Sequence, residues 1–213
     1  MTISNVFAFD IETVPDVEFG RRLHGLEGLT DKQVGYVMQT RQREQTGSEF
    51  LSLEQHRVVA ISVAMRTRDG FKAWSLGEPD SSEAELVRRF FDGIERFTPT
   101  LVSWNGSGFD LPVLHYRALR HRLQAPRYWE MGEEDQSFRW NNYISRFHWR
   151  HVDLMDVLSG FQGRVAWAST RWRSCLACRA SSVCRAKVCG THSSRGASRT
   201  SATTARPTSS TPT

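Results

Sequence analysis

Two carboxylates separated by one residue, Asp10 and Glu12, stand at the end of the apolar run Val6-Phe7-Ala8-Phe9. Alternate side chains of a strand share a face, so both carboxylates point the same way. Side by side they repel, and a hard divalent cation with oxygen ligands removes that repulsion. The plainer alternative is a solvated strand end whose Asp caps the next turn. A second set, Ser103-Trp104-Asn105-Gly106-Ser107-Gly108-Phe109-Asp110, follows the apolar run Leu101-Val102 and opens a helix. Asn-Gly supplies a turn able to adopt positive φ. Asp110 then falls at or near a helix N-terminus, where a carboxylate is favoured. Alone it reads as an ordinary cap. The combination of strand-Asp-x-Glu with a later Asn-x-x-x-Phe-Asp points to a metal-assisted reaction.

These residues need elements to position them. Val6 to Ile11 forms a buried first strand, closed by Thr13, Val14 and Pro15. Asp31 to Gln45 is helical, with Val34, Val37 and Met38 on one side. Arg57 to Thr67 is a second strand with a nearly continuous apolar run. Asp69-Gly70 signals a hairpin, and Phe71 to Leu76 pairs back as a third strand. Ser81 to Glu85 opens a helix that continues through Leu86, Val87, Phe90, Phe91 and Ile94. Leu101 to Trp104 is a fourth strand. A helix from about Leu111 to Arg122 turns Leu114, Ala118 and Leu119 inward. The stretch from Ala125 to Trp149 has no clear period, and Asp153 to Phe161 reads as a helix. Antiparallel strands first, then alternating helices and strands, predict an α/β domain with a mixed sheet.

The chain of 213 residues carries a formal charge of +5, but it joins two compositions. All 23 acids lie at or before Asp156, while the stretch from Val157 to Thr213 holds Lys187 and eight arginines. Residues 1–163 therefore set 19 basic residues against 23 acids, a net charge of −4, and the basic character belongs to the tail. It gives no basic, nucleic-acid-binding surface to the body. No apolar run approaches the ~18 residues that span a bilayer. Met1 to Phe9 lacks a basic region followed by a long apolar stretch, so a cytoplasmic protein is expected.

Phe9-Asp10-Ile11-Glu12-Thr13 resembles the first motif of the proofreading 3′–5′ exonucleases of family B DNA polymerases, and Asn105 to Asp110 resembles their second. The whole is most similar to the stand-alone predicted 3′–5′ exonucleases of polymerase-B-like type. His151-Val152-Asp153-Leu154-Met155-Asp156 matches a segment these proteins carry after the second motif. The resemblance covers roughly residues 3–168. It implies a ribonuclease H-like mixed sheet flanked by helices, and four carboxylates holding two Mg²⁺ or Mn²⁺ ions. By it, Asp10 bridges both metals, Glu12 completes one site and Asp110 serves the other through water. One ion would activate the attacking water and the other would stabilise the leaving oxygen. Asn105, Phe109 and Thr13 would bind the 3′-terminal nucleotide, although Phe109 reads equally well as core. Asp153 and Asp156 would support the ligands or cap a helix, with capping favoured for Asp153. The implied partner is nucleic acid with single-stranded 3′ ends, with no membrane and no small-molecule cofactor.

The family's third motif, Tyr-x-x-x-Asp on a late helix, is missing: no acid follows Asp156 and no Tyr follows Tyr143. The expected domain, 1–168, is therefore truncated at its C-terminus and followed by a low-complexity basic tail, 169–213. The abrupt change near Ala168 points to translation in a shifted frame. Permitted codons turn the stretch from Thr170 into an apolar helix and turn, and Thr203 to Ser209 into a segment containing Tyr-x-x-x-Asp. The alternative is a genuine disordered tail. Cys175, Cys178, Cys184, Cys189 and His192 lie in the same segment, but their spread spacing argues against a zinc module. The leading function is a metal-dependent 3′–5′ exonuclease. The alternatives are an impaired or inactive nucleic-acid-binding domain of the same fold and, behind it, a zinc-dependent interaction module.

Overall fold

A computed structural model describes residues 5–162. The expectations for the tail, including the cysteine set and a restored helix, lie outside the described residues. Five strands form one sheet in the order β3-β2-β1-β4-β5. β1 (Val6–Pro15), β2 (His56–Thr67) and β3 (Gly70–Ser75) pair antiparallel, while β4 (Thr100–Ser103) and β5 (His151–Asp153) run parallel to β1. The helices are α1 (Val17–His24), α2 (Asp31–Thr46), α3 (Glu83–Phe97), α4 (Asp110–Arg120), α5 (Pro126–Trp129) and α6 (Leu154–Leu158). This is the mixed α/β architecture that the pattern predicts, with three parallel carboxyl ends side by side. None of the described helices is long and apolar enough to cross a membrane.

Helix boundaries follow from caps. Ser82 accepts a hydrogen bond from the Glu85 N–H and starts α3. Thr30 and Gln33 close a reciprocal capping box on α2, which ends at Gly47 in the left-handed conformation. Such caps satisfy backbone groups that a helix end leaves without partners. α1 is an element the apolar pattern does not predict. Asp16 caps it and Gly25 ends it, and between them Gly20 is its one buried residue.

The core lies on one face of the sheet. Phe7, Phe9 and Ile11 of β1 and Ile61, Val63 and Met65 of β2 pack under Val87, Phe90 and Ile94 of α3 and Val113 and Leu114 of α4. The first strand does not close at Thr13 but runs to Pro15, because a β-bulge carries the ladder onward. Glu12 pairs with Ala60 and Thr13 with Val58, leaving Val59 unopposed. One extra residue shifts the side-chain phase of a strand. Hence β2 buries His56 and Val58, then Ile61, Val63 and Met65. The apolar run of β2 thus conceals an alternating strand with one dislocation.

Two further expectations are corrected. The helix at the end is shorter than Asp153–Phe161, because His151, Val152 and Asp153 pair with β4 as a strand before α6 begins. Leu119 does not face inward: it is 77 % exposed. The inward position is taken by Arg117, which is 2 % exposed. Arg117 Nη1 donates to Asp16 at 2.7 Å and Nη2 to Glu83 at 2.5 Å. Glu83 in turn accepts from the Val58 N–H at 2.7 Å and contacts His121 Nε2 at 2.8 Å. One guanidinium thereby fixes the start of α1, the start of α3 and the middle of α4 against the bulged strand. Removing one partner of a buried ion pair leaves the others uncompensated. We expect Arg117→Ala to lower unfolding stability by about 3–5 kcal/mol in urea titration. A loss within the ~0–1 kcal/mol of a surface pair would contradict this role.

Candidate active site

The carboxyl ends of β1, β4 and β5 and the start of α4 meet at one edge of the sheet. Asp10 and Glu12 alternate with buried Phe9 and Ile11, so both leave the outer face of β1, and both are exposed. Asp110 is the first residue of α4 and is 4 % exposed. It does not act as the N-cap, which is Phe109. Instead its Oδ1 accepts from the backbone N–H of Ile11 at 3.2 Å, between Asp10 and Glu12 in the chain. Burial, and then the charge of Asp10, push its pKa up to about 7, against the pull of its backbone hydrogen bonds. Asp153 adds a smaller push in the same direction. A buried carboxyl whose ionisation is also opposed by a second carboxylate is a candidate functional group.

The loop between β4 and α4 is held from β5. Asp153 accepts from the Asn105 N–H at 2.8 Å and the Ser107 N–H at 3.0 Å, and from the Met155 N–H at 3.1 Å. It therefore caps α6 and braces the motif loop at once. Ser103 Oγ and His151 Nε2 lie 2.8 Å apart beneath the same loop. Gly106 lies so close above them that a Cβ there would sit 2.1 Å from Ser103 Oγ. Asn105 takes a positive φ of 59°, a conformation that Asn tolerates better than most residues. Its Oδ1 is buried with no hydrogen-bond partner among the described residues. Asp156 is gripped by Arg146 through two 2.7 Å bonds.

Next to Glu12 lies a cavity of about 370 Å³, lined in part by Glu12, Thr13, Glu49, Phe50, His56 and Phe109. That volume is within the range of small-molecule sites. Phe109 packs on the core, as one of its two expectations has it, and also lines this cavity. Its ring stands 5.4 Å from Phe50 and 5.1 Å from His56. Asn105 is not among the lining residues. Glu49, Phe50 and His56 belong to no motif: the first two come from the stretch joining α2 to β2, and His56 is the first residue of β2. No sequence signal marks them beyond an aromatic and a histidine just before an apolar strand.

Oxygen donors suit Mg²⁺ or Mn²⁺, and the opposed Asp10–Asp110 pair is made of carboxylate oxygens. Among the described residues, no three His, Cys, Asp or Glu side chains are gathered as a ready metal cage. Asp10 and Glu12 share the outer face of β1, and the buried Asp110 reaches the backbone N–H between them.

The position of Asp110 has a measurable consequence. Its folded pKa is raised, so its stabilising contribution is complete below about pH 4 and is lost as pH rises through about 7. We expect metal-free Asp110→Asn to be more stable than the parent at pH 8, with the difference shrinking towards pH 4. Urea midpoints across that range test this, and an Asn variant weaker than the parent at pH 8 would sink it.

DNA polymerase 1 of Sulfurisphaera ohwakuensis is 49% identical over 43 residues, which are 20% of this chain and 5% of that protein. The structure of the family B DNA polymerase from the hyperthermophilic archaeon Pyrobaculum calidifontis matches 74% of this chain and 16% of its own, at 19% identity and a TM-score of 0.37. The chain thus spans a small part of either polymerase. Residues 48–171 match the model of a family described as a predicted 3′–5′ exonuclease related to the exonuclease domain of PolB. That match takes in Asn105, Phe109, Asp110, Asp153 and Asp156, and begins after Asp10, Glu12 and Thr13. With more than half of its residues inside the match, the chain belongs to the family of predicted 3′–5′ exonucleases related to the exonuclease domain of PolB.

Proposed function

We propose that this domain is a metal-dependent 3′–5′ exonuclease that hydrolyses the terminal phosphodiester bond of single-stranded nucleic acid. The observation that carries the proposal is the buried Asp110 carboxyl, held to the backbone of β1 and opposed by Asp10. Asp10, Glu12 and Asp110 would hold Mg²⁺ or Mn²⁺. When bound, such ions activate water and stabilise a leaving oxygen. The chain's own share is placement. Phe109, Phe50 and Thr13 would seat the last nucleotide, with the rings offering stacking faces. The Asp153-braced loop would keep Asp110 and Asn105 fixed while the strand end enters. The reading includes a cytoplasmic location, which cell fractionation tests.

A second reading has its own support. The Tyr-x-x-x-Asp motif is absent from the chain as written, so no fourth carboxylate follows Asp156. Such a chain would bind nucleic acid and cleave it poorly. Loss of one ligand weakens a hard-cation site, and loss of an orienting Tyr costs ~10²-fold or more when geometry is lost.

We expect the chain as written to release nucleotides slowly from a labelled oligonucleotide in Mn²⁺. The version with residues 169–213 translated in the restored frame should be active with Mg²⁺ or Mn²⁺. In it, Asp10→Ala or removal of metal by chelation should abolish cleavage. Equal turnover by the two versions would show that the third motif is dispensable here. Cleavage by Asp10→Ala at the parent rate would remove the two-carboxylate basis of the reading.

A further inference from the structure

The cavity beside Glu12 contains a hydrogen-bond relay that the motifs do not include. Thr13 Oγ1 lies 2.9 Å from His56 Nδ1, and His56 Nε2 lies 3.2 Å from the carbonyl oxygen of Leu51. A carbonyl can only accept, so the ring carries its hydrogen on Nε2. The neutral ring then presents a lone pair at Nδ1, and the Thr13 hydroxyl donates to it. Burial holds the His56 pKa below its ordinary value, against the opposite pull of the Leu51 bond and of Glu54. The ring is also fixed by its neighbours, edge-on to Phe109 at 5.1 Å and tilted against Phe50 at 5.2 Å.

A hydroxyl has one hydrogen. With that hydrogen committed to His56, Thr13 has lone pairs alone to offer whatever enters the cavity. Glu49, ion-paired with Arg43, lines the same wall, as does Glu12, whose carboxylate is assigned to the metal. Gln39 contributes an amide, and no Lys or Arg is among the described lining residues. A wall made mainly of acceptors is matched by a neutral guest that carries donors. It is mismatched to a terminal phosphate, which brings negative charge and further acceptors.

Resting on the exonuclease reading, we infer that His56 is a positioning residue. It fixes Thr13 as a hydrogen-bond acceptor, so that the cavity selects a strand end presenting a sugar hydroxyl over an end that has none.

The test is binding, read by fluorescence anisotropy on the full chain in Mg²⁺ buffer. The probes are labelled single-stranded oligonucleotides whose last linkage is a phosphorothioate, to suppress cleavage. Three ends are compared: a 2′-deoxy end with its 3′-hydroxyl, a 3′-deoxy end with its 2′-hydroxyl, and a 2′,3′-dideoxy end. At least one hydroxyl end should bind about tenfold tighter than the dideoxy end, the scale of one hydrogen bond made or left unmade. Whichever of the first two binds tighter identifies the hydroxyl that is read. His56→Phe keeps ring packing but loses the acceptor, and should lose the preference. His56→Asn loses the ring but keeps an acceptor near the Nδ1 position, and should retain it. A ring needed for packing alone would give the opposite order. Thr13→Val should also lose the preference. Nitrogen-15 shifts of the parent ring report the tautomer without any variant, and a hydrogen on Nδ1 would overturn the inference. Equal binding of all three ends by the parent, or an unchanged preference in His56→Phe, would overturn it while leaving the exonuclease reading standing. Failure to bind any end would overturn that reading and this inference with it.

Discussion

A carboxyl group buried beside a second carboxylate is an expensive arrangement, and the architecture around Asp110 is organised by it. The group sits at the start of α4, where the helix dipole favours negative charge, and accepts from the Ile11 N–H. Holding it there requires a loop that cannot relax away from Asp10. Asp153 supplies that restraint by taking two backbone N–H groups of the loop. Gly106 permits it, because any side chain would strike Ser103. Parallel pairing of β1, β4 and β5 brings the contributing residues to the same edge, which is where ligands gather in open α/β sheets. The unfavourable meeting of the two carboxyl groups is set by the fold.

Much of this was legible in the sequence, because the signals are local. The strand period alone puts Asp10 and Glu12 on one face, and Asn-Gly followed by Asp110 announces a turn into a helix. The capping role of Asp153 was readable for the same reason. What escaped depends on residues far apart in the chain. Arg117 is buried and Leu119 exposed, the reverse of their hydropathy, because Asp16 lies 101 residues away and Glu83 lies 34 away. The bulge at Glu12–Thr13 is a mismatch between two strands, so neither strand encodes it alone. α1 has cap residues at both ends, but it buries a glycine rather than an apolar stripe, so periodicity missed it.

The cavity escaped for a related reason. Its wall is shared between the end of β1, the start of α4 and the stretch before β2, and only the first two carry motifs. His56 is the first residue of β2, paired with Pro15, and it exists as a site residue because β1 runs past the bulge. Had β1 ended at Ile11, Thr13 would face no ring. The extension of a strand by a few residues thus gives a histidine of ordinary appearance a hydrogen-bond partner in the cavity wall.

Arg117 also shapes how such a domain can change. Its two nitrogens join segments from the first, second and third parts of the domain, and each acid it meets has another duty. Asp16 caps α1 and Glu83 accepts from the bulged strand at Val58. A neutral replacement of Arg117 strands both carboxylates in surroundings too dry to solvate them, whereas replacing either acid leaves the guanidinium with one buried partner instead of two. Positions 16, 83 and 117 are therefore epistatic: a substitution tolerated in one background is harmful in another. The same triad that gives the domain its internal frame restricts the order in which its sequence can drift.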